Sequence, residues 1–163
     1  MEHYEIERKF LIQMPKKEVL ASLPSSSIEQ IYILSETGTR ERIRRRRYPD
    51  RCVFTHTAKK RISDITRIEE EREIQEPEYL RLKEMADPDR RILHKTRYLY
   101  EYRAQCFEID VFPFWEDRAF LELELEREDQ PICFPPEITI LREVTGDKRY
   151  TNAAIAREIP FEK

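Results

Sequence analysis

Glu5-Ile6-Glu7-Arg8-Lys9 opens the chain with acidic side chains two residues apart, and the same spacing returns in Glu122-Leu123-Glu124. Successive side chains of a β-strand point to opposite sides, so residues at i and i+2 share one face. The residues beside these acids are mostly apolar. The pattern therefore predicts two strands, near opposite ends of the chain, that each carry an acidic face and a hydrophobic face.

Further stretches of alternating polarity follow about every ten residues, with turn signals between them, which is typical of an antiparallel barrel or sandwich. A chain of 163 residues suits one domain with a real core. We therefore expect one domain over residues 1–163, of the α+β class and mainly β. Loops are predicted at residues 25–27 and 131–136, and helices at residues 15–23, 77–86 and 152–157. Eight strands are predicted, at residues 3–12, 28–34, 39–48, 52–60, 66–75, 92–103, 106–113 and 119–127.

Charged side chains fall on one face of these predicted strands, and apolar side chains on the other. For a single strand, the charged face is more often simply the wet face of an open sheet. A sheet of eight strands tends to close, and the charged face would then line a hydrated interior, because isolated buried ions are costly. We therefore expect an eight-stranded antiparallel closed barrel, or tunnel, with a charged interior and helices packed outside. Seven bases and eight acids share this face: Lys9, Arg42, Arg44, Lys59, Arg67, Lys95 and Arg97, with Glu5, Glu7, Glu69, Glu71, Glu108, Asp110, Glu122 and Glu124.

The overall composition excludes several other classes of protein. Charged residues make up 39% of the chain, but the net charge is only −3, which argues against a basic nucleic-acid arm. Two glycines are too few for a glycine-rich phosphate loop. The three cysteines, Cys52, Cys106 and Cys133, have no metal-ligand spacing, and we expect buried, reduced thiols in a cytoplasmic protein. No stretch approaches the roughly 20 apolar residues of a membrane span.

The signs of the charges indicate the ligand that the interior would take. Pairs of acids at i and i+2 supply the hard oxygen ligands that suit Mg²⁺ or Mn²⁺. Inward-facing arginines and lysines suit an anion with several phosphates, because arginine binds phosphate through two hydrogen bonds and lysine as a point charge. Metal, polyphosphate and base together are typical of a phosphoryl-transfer site.

At this point the motifs resemble those of the CYTH superfamily, also called triphosphate tunnel metalloenzymes. The resemblance extends over nearly the whole chain and includes a candidate Tyr32–Lys95 pair. It implies an eight-stranded tunnel whose members hydrolyse inorganic triphosphate, nucleoside triphosphates or thiamine triphosphate, or cyclise ATP. The matching stretches are Glu5-x-Glu7-x-Lys9, Arg42-Ile43-Arg44, Thr57-Ala58-Lys59, Arg67-Ile68-Glu69-Glu70-Glu71, Lys95-Thr96-Arg97-Tyr98, Phe107-Glu108-Ile109-Asp110-Val111-Phe112, Leu121-Glu122-Leu123-Glu124 and Glu143-Val144-Thr145-Gly146-Asp147 with Tyr150 and Asn152.

The resemblance also implies roles for individual residues, with Mg²⁺ or Mn²⁺ as the cofactor. Metal ligands would be Glu5, Glu7, Glu69, Glu71, Asp110, Glu122 and Glu124. The phosphates would be held by Lys9, Arg42, Arg44, Lys59, Arg67, Lys95 and Arg97, with Lys9, Lys95 and Tyr32 closest to the chemistry. Glu108 would complete a metal shell, orient water or balance a base.

Three functions remain open from the sequence: a metal-dependent triphosphatase, a class IV adenylyl cyclase, and a polyphosphate- or nucleotide-binding module without catalysis. The intact acidic set argues against the module. A binder of single-stranded nucleic acid would need aromatic residues interleaved with bases on an open face, and here the aromatics mostly fall on the opposite face. The expected partner is thus a small polyphosphate or nucleotide, with no nucleic acid and no membrane; the sequence leaves a homodimer open.

Overall fold

A computed structural model describes residues 2–35, 40–61, 63 and 65–160, with the side chains of residues 2–5, 40, 59–61, 67 and 69 outside the description. Three short helices form: α1 (Lys17–Ala21), α2 (Glu76–Lys83) and α3 (Asn152–Arg157), the last preceded by a 3-10 turn at Lys148–Tyr150. The strands are β1 (Glu2–Gln13), β2 (Ser25–Leu34), β3 (Arg40–Arg47), β4 (Cys52–Arg61), β5 (Thr66–Ile74), β6 (Leu93–Tyr102), β7 (Gln105–Val111), β8 (Arg118–Leu125) and β9 (Ile140–Glu143).

All strands pair antiparallel in one sheet of order β5-β4-β3-β2-β6-β7-β8-β1-β9. This confirms the mainly β class, but the predicted count of eight strands is wrong because β9 is a ninth. The long strand β1 divides its second edge between two partners. Residues 2–6 pair with β5, and residues 10–12 pair with β9. The predicted barrel requires a sheet that is closed along the full length of β1. The observed sheet is not closed in this way, so that part of the prediction is wrong.

Two hydrophobic clusters cover the apolar face of the sheet. One includes Phe10, Ile109 and Leu121, with Leu20 of α1 packed against it. The other includes Ile31 and Ile43 and is completed by residues of α2. These residues alternate along the strands with the charged rows, so the predicted division of each strand into a charged face and an apolar face is confirmed where the structure describes both.

A third hydrophobic cluster, the end cluster, lies at one end of the charged face. Its residues come from four strands, from the segments that directly follow β7 and β9, and from the C-terminal segment with α3, so apolar side chains fill this end. Aromatic rings meet edge to face there, as in the pair Phe120 and Tyr150. The end cluster consists of Leu11, Tyr32, Leu93, Phe112, Trp115, Phe120, Val144, Tyr150, Ile155 and Ala156.

Other expectations need correction. Ser25–Ser27 was predicted as a loop but begins β2, where Ser26 lies opposite Arg97 and accepts a hydrogen bond from Arg46. The three cysteines are exposed, not buried, because they lie at strand ends or in a loop. Among the described residues, no helix is long and apolar enough to cross a membrane.

Candidate active site

Asp110 is the centre of a buried ionic cluster on the charged face. It lies opposite Arg97 in the β6–β7 ladder, and its side chain is fully buried. Its Oδ1 accepts a hydrogen bond from Arg97 Nε at 2.8 Å, and its Oδ2 accepts from Arg97 Nη2 at 2.9 Å. Lys95 Nζ donates to the same Oδ2 at 2.7 Å. One carboxylate thus fixes two cations, and both of its oxygens are occupied.

Glu122 extends this cluster towards the N-terminal strand. It lies opposite Lys9 in the β1–β8 ladder, with Lys9 Nζ 3.5 Å from Oε1 and Arg97 Nη2 3.7 Å from Oε2. Lys9 Nζ also donates to the carbonyl of Tyr150 at 2.8 Å and lies 3.9 Å from the centre of the Phe120 ring. Lys9 therefore joins the charged cluster to the end cluster.

Arg42 and Arg44 are held by neutral groups instead of carboxylates. Arg44 Nη2 donates to Gln30 Oε1 at 2.8 Å, and Gln30 Nε2 donates to the Tyr32 hydroxyl at 2.8 Å. Arg42 Nη2 lies 3.5 Å from Thr57 Oγ1. The Nε atoms of both arginines are buried and have no hydrogen-bond partner among the described residues. Each arginine thus keeps one buried donor that none of the described groups accepts.

The pKa values of Arg44 and Lys95 are lowered first by burial and then by neighbouring cations, whereas burial alone would lower the pKa of Arg97 but carboxylates raise it. Burial, followed by the charges of Arg42 and Arg97, lowers the pKa of Arg44 to about 9. Burial lowers the pKa of Lys95 to about 7. Asp110 alone would raise this pKa, but Arg97 and Arg44 lower it further. Burial alone would raise the pKa of Asp110, but Arg97 and Lys95 hold it well below its usual range. A bound anion would relieve the mutual repulsion of these cations.

The structure describes the side chains of some of the predicted metal ligands but not of Glu5 and Glu69. Glu7 and Glu124 lie directly opposite each other in the β1–β8 ladder, and Glu71 accepts a hydrogen bond from Thr57 at 3.2 Å. Among the described residues, no three carboxylates, histidines or cysteines form a ready metal site. The predicted roles of Glu5, Lys59, Arg67 and Glu69 concern side chains outside the description, although the backbone places Glu69 opposite Lys59 and Glu5 opposite Arg67.

Sequence reasoning missed three polar residues of this site. Gln30 is fully buried and bridges Arg44 to Tyr32. Ser26 shares its face, and Thr145 accepts a hydrogen bond from the backbone of Lys9 at 2.8 Å. The signal for Gln30 was its spacing, because it stands two residues before Tyr32 in a strand that is otherwise mostly apolar.

The sheet and its site define a class of protein: an antiparallel β protein whose charged face carries a buried site of paired cations and carboxylates. No model of a known protein family matches the chain. An inorganic triphosphatase of Nitrosomonas europaea is 33% identical over 160 residues, which cover 96% of this chain and 99% of that protein. One from Acetivibrio thermocellus is 29% identical over 153 residues, covering 94% and 93%. The crystal structure of the inorganic triphosphatase NE1496 aligns with a TM-score of 0.57 at 31% identity, over 96% of this chain and 97% of that one.

The chain belongs to the CYTH superfamily, as the resemblance implied. The similarity spans nearly the whole length of both chains, so the site residues and the surrounding strands fall within it.

Proposed function

We propose that the protein hydrolyses a triphosphate with the help of a divalent metal, and that inorganic triphosphate is its preferred substrate. The relatives named inorganic triphosphatase support the reaction class. The observation that carries the proposal is the pair Arg42 and Arg44, whose buried Nε donors lack acceptors within the described residues. Arginine forks match phosphate oxygens. A triphosphate would supply both the acceptors and the negative charge that this region lacks.

In this proposal the charged face forms a tunnel in which the substrate lies. The pairing of β1 with β5 along residues 2–6 supports it, because that pairing joins the first strand of the sheet order to the eighth. Arg42 and Arg44 bind one side of the phosphate chain. Lys9 of β1 also lies on the charged face, where the Tyr150 carbonyl and Glu122 orient its ammonium group. The cations also stabilise the charge that develops on the leaving oxygen.

We assign the metal to Glu7 and Glu124, together with Glu5 and Glu122, whose carboxylates would converge on the ion when it binds, because no three described groups form a ready site without it. The donor set fits Mg²⁺ or Mn²⁺ by its chemistry, since Glu7 and Glu124 are opposite each other and carboxylates are hard ligands. When bound, the ion supplies positive charge to the phosphate oxygens and activates water. Asp110 is instead assigned to holding Lys95 and Arg97, because its two oxygens already accept three hydrogen bonds. Ligand roles for Glu69 and Glu71 stay predictions.

The three residues predicted to lie closest to the chemistry differ in what they contact. Lys95 donates to Asp110, so we assign it to positioning Asp110 and Arg97. Tyr32 accepts from Gln30 and belongs to the end cluster. Lys9 has the contacts expected of a phosphate-binding lysine at the inner end of the site. The Tyr32–Lys95 pairing stays a prediction, as do the cytoplasmic location and the homodimer.

The direct test is an assay of the purified protein with inorganic triphosphate, ATP or thiamine triphosphate, each with Mg²⁺, with Mn²⁺ and with a chelator. Phosphate, pyrophosphate and cyclic AMP are measured. We expect metal-dependent phosphate release that is fastest with inorganic triphosphate. Cyclic AMP as the main product would identify a cyclase, and tight binding without turnover would identify a binding module; either result contradicts the proposal.

Replacing Arg42 or Arg44 by Gln should lower kcat/KM for inorganic triphosphate by about ten- to a hundredfold. A charge-assisted hydrogen bond contributes about 1.5–3 kcal/mol, and each 1.4 kcal/mol is a factor of ten. The matched control is Arg51→Gln, because Arg51 is an exposed arginine that lies outside the active site. Its initial rate should stay unchanged. A normal kcat/KM in both Arg42→Gln and Arg44→Gln would refute their assignment.

A further inference from the structure

A second pocket opens on the reverse side of the strands that carry the active site. It has a volume of about 440 Å³ and is lined by residues of β2, β3 and β6 together with Val111 and Pro113. The volume falls in the range of small-molecule sites. Side chains alternate along a strand, so this outer pocket faces away from Arg44. The side chains that define it are Ser27, Glu29, Arg45, Arg47, His94 and Thr96.

Strand register arranges these side chains in two rows across the sheet. In the first row, Arg47 lies opposite Ser27, Ser27 opposite Thr96, and Thr96 opposite Val111. The row thus runs from a cation through two hydroxyls to an apolar wall. In the second row, Arg45 lies opposite Glu29, which lies opposite His94.

The second row is neutralised by contacts of its own. Glu29 accepts a hydrogen bond from the Tyr79 hydroxyl at 2.8 Å and lies within 3.3 Å of Arg45 and 3.6 Å of Lys83. Burial alone would raise the pKa of Glu29, but Tyr79, Arg45, Lys83 and His94 together lower it. The single acid of the pocket is therefore already matched by more than one cation.

The first row, by contrast, has donors without acceptors. Within the part of the chain that the structure describes, the side chains of Arg47, Ser27 and Thr96 in this row make no hydrogen bond or ion pair with protein groups, and neither does His94 at the end of the second row. Arg47 and His94 are also exposed, so a ligand can reach them. A guanidinium group and two hydroxyls thus lie on neighbouring strands, beside an apolar wall.

We propose that this outer pocket binds a phosphate group, carried either by free orthophosphate or by a small phosphomonoester. Phosphate presents several acceptor oxygens, which match the arginine fork and the hydroxyls of Ser27 and Thr96. His94 lies beside the same position. Val111 and Pro113 leave an apolar surface for the carbon part of an ester. Lys95 also lines the pocket, but the polar side chains proposed to bind phosphate lie on the face opposite to Arg44, so the proposal stands whether or not the chain is a triphosphatase.

The test follows the ring proton resonances of His94 by NMR during titration with sodium phosphate or glycerol phosphate, at constant ionic strength. The His94→Gln variant identifies the resonance. We expect saturable shifts, and affinity at least about tenfold weaker in Arg47→Gln and in Thr96→Val. Arg51→Gln, which changes an exposed cation outside the pocket, should bind normally. Saturation by orthophosphate alone or by the ester alone would identify the source.

Two results would overturn the outer site: shifts no larger than those that sodium chloride produces, or shifts that Arg47→Gln and Thr96→Val leave unchanged. Both results concern the outer face only. A failure of triphosphate hydrolysis in wild-type protein would leave the titration unaffected, and a failed titration would leave the hydrolysis assay unaffected. The two proposals can therefore be judged separately.

Discussion

Glu7→Gln and Glu124→Gln variants should each lose at least about a hundredfold of the triphosphatase rate while remaining folded. The two carboxylates lie opposite each other on β1 and β8, and we assign them to the metal. Groups that only orient metal ligands already contribute about ten- to a hundredfold, so loss of a ligand itself should cost at least as much. Gln keeps the shape but removes the negative charge, so metal affinity falls. Phosphate release is measured over a wide range of Mg²⁺ and Mn²⁺ concentrations.

Partial recovery at high metal concentration is the signature that separates a ligand from a structural residue. The matched control is Glu70→Gln, since Glu70 is an exposed acid of β5 next to Glu71 but with the opposite orientation. It should retain the full rate at every metal concentration. Wild-type activity of both Glu7→Gln and Glu124→Gln at limiting metal would remove the metal assignment.

Asp110→Asn should destabilise the protein by about 3–5 kcal/mol, because it leaves Lys95 and Arg97 buried without a countercharge. Asn has nearly the shape of Asp, so packing is preserved and the charge is tested. Urea unfolding measures the loss. The double variant Asp110→Asn/Lys95→Met removes one of the orphaned cations and should recover part of it. Asp117→Asn, which changes an exposed acid paired with Arg118, should unfold nearly as wild type.

The stability that Asp110 contributes should also depend on pH. Its folded pKa is lowered, so the contribution is present above the usual carboxyl pKa of about 3.9 and is lost as the pH falls below it. The difference in unfolding free energy between wild type and Asp110→Asn should therefore be full near pH 6 and should narrow below about pH 4. An equal difference at both pH values, or no recovery in the double variant, would contradict the ionic explanation.

Alternating polarity was sufficient to predict which face of most strands carries the site. Arg42, Ile43 and Arg44 illustrate this: the two arginines lie on the charged face, and Ile43 is fully buried in the cluster that α2 completes. The physical reason is the two-residue period of strands, because a shift of one residue in register would move the isoleucine from the buried face to the charged face. The same period places Asp110 and Arg97 together on the charged face, where they lie opposite each other.

The features that sequence missed depend on tertiary contacts. Gln30 is neutral and gave no charge pattern, and its role arises only when β3 brings Arg44 opposite to it. Strand β9 has four residues without regular alternation and exists because β1 offers it a free edge. The division of this edge of β1 between β5 and β9 depends on strand lengths and on register. The polarity pattern of each single strand carries no information about either.

The end cluster would close one end of the proposed tunnel. Apolar side chains from four strands, from the segments after β7 and β9 and from α3 fill the space beyond Lys9. We therefore expect a substrate to reach Arg44 from the other end, where β3 ends, and its products to leave the same way. Entry and exit then compete for one passage. Inorganic triphosphate is small enough to bind entirely inside such a passage, whereas a larger group attached to the triphosphate, such as a nucleoside, would remain at its open end.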